Sequence, residues 1–167
     1  MSQTQSVTYK RRGFWAYDVA VGVFLKYLID AAEAGGEANA SWLSETTSQW
    51  RVWAVVGECG FPLDERWSAE QQKTFINLVE KTCASLATRN AIPAQEIVSW
   101  PFVDNMRIDP RGAKEVLTAP VVELGRAIIA LLRDELPEAA EGEAWFFGAP
   151  TGRSTIRMDD SWDGRWA

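Results

Sequence analysis

Apolar residues recur every three or four positions in three separate stretches of this 167-residue chain, and this spacing constrains the fold more than any other feature. Such a period places the apolar side chains on one face of an α-helix. The three stretches cover about residues 14–34, 68–88 and 120–136. The sequence therefore predicts three amphipathic helices that pack around a common core.

Local signals place the ends of these helices and predict shorter helices between them. The Gly-Gly pair at 35–36 ends the first helix, and Ser68 with Gln71 forms a capping box, S-x-x-Q, at the start of the second. Prolines indicate two short helices, over residues 94–99 and 109–117.

Residues 41–58 are compatible with two structures. A helical stripe in this segment would consist of Trp42, Thr46, Trp50, Trp53 and Val56. The run at 50–56 also has the composition of a strand. Of these two structures we favour the helix.

The carboxy-terminal part has the pattern of a β-hairpin. Two aromatic or β-branched runs, at 144–147 and 154–158, flank a Gly/Pro-rich segment. We therefore expect a mostly α (α+β) fold, a compact helical domain with a small C-terminal β-hairpin. Residues 1–12 are polar and end in a basic run, which predicts a flexible basic arm before a single globular domain over 13–167.

Tryptophan is unusually abundant, with nine residues in the chain. Because Trp buries a large area, the first seven are expected in the core. Trp162 and Trp166 lie in a short polar tail and are harder to explain in this way. Cys59 and Cys83 lie in apolar surroundings and are expected to be buried thiols, which suits a reducing cytoplasm.

The composition argues against several classes of function. The chain has no His, which excludes Ser-His-Asp and Cys-His nucleophile systems and every His-based metal site. No dinucleotide or phosphate-loop motif is present, so no catalytic residue, cofactor or metal is predicted. A net charge of −6 disfavours nucleic acid as a partner.

The amino-terminal sequence also bears on localisation. Arg11-Arg12 resembles a twin-arginine export pattern. Asp18 and Lys26 interrupt the apolar stretch that follows, however, and no stretch is long and apolar enough to span a membrane. A cytoplasmic chain with no membrane partner is therefore expected.

Negative charge is concentrated near the carboxy terminus. From Asp134 onward there are eight acidic residues and three arginines. Acidic side chains beside aromatic anchors are typical of surfaces that bind basic proteins. The predicted partner-binding residues are Glu135, Glu138, Glu141, Glu143, Asp159, Asp160, Trp162, Asp163 and Trp166.

Two segments, 118–127 (TAPVVELGRA) and 145–153 (WFFGAPTGR), resemble a bacterial toxin-associated family. The small size, acidity and Trp content of the whole chain are similar to those of immunity proteins of polymorphic and contact-dependent growth inhibition systems. That resemblance implies a cognate basic toxin, often a nuclease, that is bound stoichiometrically with its active site covered. It carries over no functional residue.

The favoured hypothesis is therefore an immunity-type inhibitor, not an enzyme, that neutralises a basic toxin domain by protein–protein binding. One alternative is a small enzyme or carbohydrate-binding protein with a pocket of carboxylates and Trp side chains, and it predicts a deep cleft with facing acids. Another alternative is an adaptor subunit of a larger bacterial complex, which predicts an exposed apolar patch.

Overall fold

A computed structural model describes residues 4–36, 40–56 and 60–166. The helices in these residues are α1 (Asp18–Ala34), α2 (Ser41–Trp53), α3 (Ala69–Leu86), α4 (Ala94–Ile97) and α5 (Thr118–Leu132). The strands are β1 (Thr4–Tyr9), β2 (Arg12–Tyr17), β3 (Phe61–Pro62), β4 (Ala91–Pro93), β5 (Glu115–Leu117), β6 (Glu143–Phe147) and β7 (Ser154–Arg157). No helix of the described residues is long and apolar enough to cross a membrane.

Five of the strands form one mixed sheet, in the order β3-β1-β2-β6-β7. The β1–β2 and β6–β7 pairs are antiparallel, whereas β2 runs parallel to β6 and β1 parallel to β3. Strands β4 and β5 form a separate antiparallel pair. The fold is thus α+β with a substantial sheet, and the prediction of a mostly helical domain with only a C-terminal hairpin is wrong.

The predicted flexible arm is also wrong, because residues 4–12 form β1, the turn that follows it and the first residue of β2. Val7 on β1 and Phe14 on β2 are fully buried and lie opposite each other in the strand register. The buried positions alternate along both strands, as a sheet with one face on the core requires. A basic turn without Gly, Asn or Asp hid this hairpin from the sequence analysis.

One predicted helix begins later than expected, and another is replaced by a turn and a strand. Helix α1 begins at Asp18, since the apolar residues from Phe14 onward belong to β2. The short helix expected over 109–117 is absent: Arg111 and Gly112 have φ values of 55° and 76°, which end a right-handed helix, and β5 follows them.

The remaining predicted elements are confirmed in type, although α2, α4 and α5 end earlier than expected. Residues 41–53 are helical, α3 carries the Ser68–Gln71 capping box, and β6 and β7 form the C-terminal hairpin. The short helix α4 begins directly after Pro93. Strong local signals specified α3 and the C-terminal hairpin, whereas the signals for residues 41–53 were compatible with either a helix or a strand.

The core lies between the helices and one face of the sheet. Phe14 from β2 and Phe147 from β6 contact each other edge to face, with ring centroids 4.9 Å apart. Of the seven Trp residues predicted in the core, only Trp50 is fully buried. The other six are half-buried, whereas Trp166 of the tail is itself buried.

The prediction of buried thiols can be compared with the structure for one of the two cysteines. Cys83 is buried and free, and burial raises the pKa of its thiol. It therefore stays protonated and behaves as a small apolar side chain. Cys59 lies outside the described residues.

Candidate functional site

A groove opens where the two central strands of the sheet separate. Strands β2 and β6 pair only at Trp15–Phe146 and Ala16–Phe147, near their carboxyl ends. Beside the unpaired amino-terminal parts of the two strands lies a cavity of about 700 Å³. We call this cavity the β2–β6 groove, and its lining consists of residues 10–13, 136–145 and 162–166.

The groove brings together two acidic segments that are far apart in the sequence. Six of the nine predicted partner-binding residues line it, and they are Glu138, Glu141, Glu143, Trp162, Asp163 and Trp166. The other three do not line it. Glu135 lies at a different cavity between α3 and α5, and Asp159 and Asp160 are exposed residues of the tail.

Sequence analysis missed the basic half of the groove. Lys10, Arg11, Arg12 and Arg165 line it together with the four acidic residues. The groove therefore carries charges of both signs. The β1–β2 hairpin brings the basic run into the site, and only the alternation of apolar residues around that run could have indicated the hairpin.

Ion pairs within the fold engage part of this charge. Arg12 pairs with Asp134, and Arg165 pairs with Asp163. Hydrogen bonds from Arg165, chiefly from its backbone N–H, lower the pKa of Asp163. Within the described part of the chain, Glu138 and Glu141 are exposed and form no such pair.

The loop that carries Glu138 and Glu141 is held by two side chains of the sheet. Arg12 Nη2 donates a 3.0 Å hydrogen bond to the carbonyl of Leu136. Trp145 Nε1 donates a 2.7 Å hydrogen bond to the carbonyl of Pro137. These bonds fix the start of the loop relative to the groove, so that less conformational freedom is lost when a partner binds.

The tail crosses the face of the sheet that the helices leave open. Trp15 points to this face, opposite to Phe14, and its Nε1 lies 3.4 Å from Met158 Sδ. The rings of Trp15 and Trp166 are 5.2 Å apart, and those of Trp166 and Trp162 are 6.0 Å apart. The aromatic residues of the tail thus cover the sheet beside the groove.

Tail carboxylates stabilise local turns. Asp159 accepts hydrogen bonds from the backbone N–H and the hydroxyl of Ser161, and these bonds lower its pKa. Asp163 accepts from the backbone N–H of Arg165 at 3.0 Å. These two acids therefore have structural roles that the sequence analysis did not assign. Among the described residues, by contrast, no hydrogen bond of this kind engages Glu138 or Glu141.

The turn of the β1–β2 hairpin is strained. Its two central residues, Lys10 and Arg11, have φ values of 48° and 62°, a conformation that Asn and Gly adopt far more readily. Strained residues tend to cluster at functional sites. Here they place two cations at the groove.

We expect the double substitution Lys10→Asn/Arg11→Gly to raise the free energy of unfolding by about 1–2 kcal/mol, because it relieves two left-handed residues. Urea unfolding followed by circular dichroism measures the change. The control is Lys10→Ala/Arg11→Ala, which removes the same two charges but keeps the strain. Equal stability of the two variants would contradict the explanation.

In the ranges 4–36, 40–56 and 60–166, no three residues among His, Cys, Asp and Glu are placed to hold a metal ion. Comparisons with protein-family models, with curated proteins and with solved structures find no match. The groove itself is therefore the basis for a functional proposal.

Proposed function

We propose that this protein is an immunity-type inhibitor that binds a cognate basic toxin domain through the β2–β6 groove. The observation that carries the proposal is the convergence of two acidic, Trp-containing segments on one cavity of about 700 Å³. A cavity of this size accepts several side chains or a short segment of a partner. Binding there would be stoichiometric, in the cytoplasm, and without a catalytic step.

Electrostatics support a basic partner. The protein carries a net charge of −6, which steers positive molecules toward it and speeds their association. Glu138 and Glu141 project from a fixed loop without ion-pair partners in the described residues. They are the carboxylates best placed to pair with Lys or Arg of the toxin.

Aromatic side chains supply the second component of the interface. Trp145 and Trp162 line the groove and are only half-buried, so part of each ring remains available to a partner. Trp is enriched among the residues that dominate binding energy. Trp166 is 8% exposed and contributes mainly to the wall of the groove.

We expect Glu138→Gln/Glu141→Gln to weaken binding of the toxin about ten-fold or more, which corresponds to about 1.4 kcal/mol. Isothermal titration against the purified product of the neighbouring gene measures the affinity, and survival of cells that express that product measures protection. Raising the salt concentration should reduce the wild-type affinity, because the pairs are exposed.

Glu45→Gln/Glu115→Gln is the matched control, because it removes two exposed carboxylates of α2 and β5, outside the groove lining. This variant should bind and protect like the wild type. If both double variants behave alike, the groove is not the toxin-binding surface. Binding of an oligosaccharide in the groove, with no protein partner, would instead favour the carbohydrate-binding alternative.

A further inference from the structure

The β2–β6 groove lies beside a gap in the pairing of the sheet, where β2 and β6 have no paired residues. Extending the register of Trp15–Phe146 would place Gly13 opposite Ala144, but no pairing joins these residues. Both residues line the groove instead. In a central strand, alternate peptide groups face the two neighbouring strands, so every second peptide group of this part of β2 faces the gap.

A segment of the chain itself occupies one end of this gap. The backbone N–H of Trp166 donates a 3.0 Å hydrogen bond to the carbonyl of Arg11, immediately before β2. The Trp166 ring packs over Gly13, where a Cβ atom would lie only 3.1 Å from Cδ2 of the indole. Trp166 thus binds the start of β2 through its backbone and its side chain together.

The tail also places a basic side chain in the groove. Arg165 precedes Trp166 and lines the same cavity as Glu138, Glu141 and Glu143. Its guanidinium is paired with Asp163, a residue of the tail itself, at 2.9 Å. The acids of the opposite wall are therefore left for a cation from elsewhere.

We propose that the gap between β2 and β6 binds an extended segment of a partner protein that carries a basic residue next to an aromatic one, and that the tail occupies this site as an internal substitute. The partner segment would add to the sheet by backbone hydrogen bonds to the start of β2, a known mode of peptide recognition. Its aromatic residue replaces Trp166, and its basic residue pairs with Glu138 and Glu141.

This inference deepens the proposed inhibitor function, because it names the part of the toxin that the groove receives. It also predicts competition. The tail must leave before the segment binds, so the apparent affinity equals the intrinsic affinity multiplied by the fraction of molecules in which the gap is open. A variant with a weakened tail should therefore bind an added segment more tightly than the wild type does.

A synthetic peptide with the sequence of residues 159–166, labelled with a fluorophore, serves as the probe. We expect the full-length Trp166→Ala variant to bind it at least about ten-fold more tightly than the wild type in fluorescence anisotropy. Two matched peptides, with Ala in place of the last Trp or Glu in place of the Arg, should lose this binding. Trp100→Ala, which removes a half-buried Trp outside the groove lining, should leave the wild-type affinity unchanged.

A second measurement uses the wild-type protein and does not depend on a variant that folds. Excess peptide should accelerate hydrogen exchange at the Trp166 amide, because the added segment displaces the bond to Arg11. Trp166→Phe, a milder change, should give an affinity between those of the wild type and Trp166→Ala.

Three outcomes would overturn the proposal. They are equal peptide affinities for wild type and Trp166→Ala, binding of the peptide that lacks the aromatic residue, and dimers of the wild type that exchange tails. The last outcome would assign the gap to a second copy of this chain. None of these tests involves the toxin, so peptide binding without toxin binding would reject the proposed inhibitor function alone.

Discussion

Replacing Trp50 with Ala is expected to lower the free energy of unfolding by about 3–5 kcal/mol, a loss near the upper end for a single core substitution. Trp50 is 1% exposed, and its ring centroid lies 5.8 Å from that of Phe75 on α3. Its removal leaves a cavity between α2 and α3 that neighbouring side chains fill only in part. Chemical denaturation followed by far-ultraviolet circular dichroism avoids the overlapping fluorescence of nine tryptophans.

Trp42 on the same helix provides the control. It is half-buried and contacts Trp67 edge to face, with ring centroids 5.9 Å apart. Because part of its ring already faces solvent, Trp42→Ala should cost less than half as much as Trp50→Ala. Equal losses of unfolding free energy in the two variants would contradict the deeper burial of Trp50.

Replacing Gly125 with Ala is expected to destabilise the protein by about 2 kcal/mol, although Ala favours a helix interior over Gly by about 1 kcal/mol. A Cβ atom at this position of α5 would lie 2.6 Å from Cys83 Sγ and 3.1 Å from Cε2 of Phe24. The close approach of α5 to α3 and α1 therefore depends on the missing side chain. Thermal and urea unfolding both measure the loss.

A double-mutant cycle with Cys83→Ala separates the steric cause from other effects. Cys83→Ala removes the sulfur atom that the new methyl group would meet. The double variant should therefore be more stable than the sum of the single losses predicts, by roughly 1–2 kcal/mol. Simple additivity would mean that the close approach to Cys83 does not determine the cost.

The candidate site shows how far sequence reasoning extends. The acidic and aromatic residues of the carboxy-terminal segments could be named from composition and charge alone, and six of them line one groove. Lys10 and Arg11 could not be named, because the turn between β1 and β2 lacks the residues that normally mark a hairpin. The groove itself could not be predicted, since it exists only where two strands separate.

The sequence alone determined the elements whose signals are local: helices α3 and α5, most of α1, and the β6–β7 hairpin. An apolar period, a capping box and a Gly/Pro turn act over a few residues and need no distant partner. Only the tertiary structure decided the pairing of β1 with β3, the parallel contact of β2 with β6, and the burial of Trp166. These features join residues that are adjacent in space but not in sequence. Their stability comes from nonlocal burial and strand pairing, which no local pattern records.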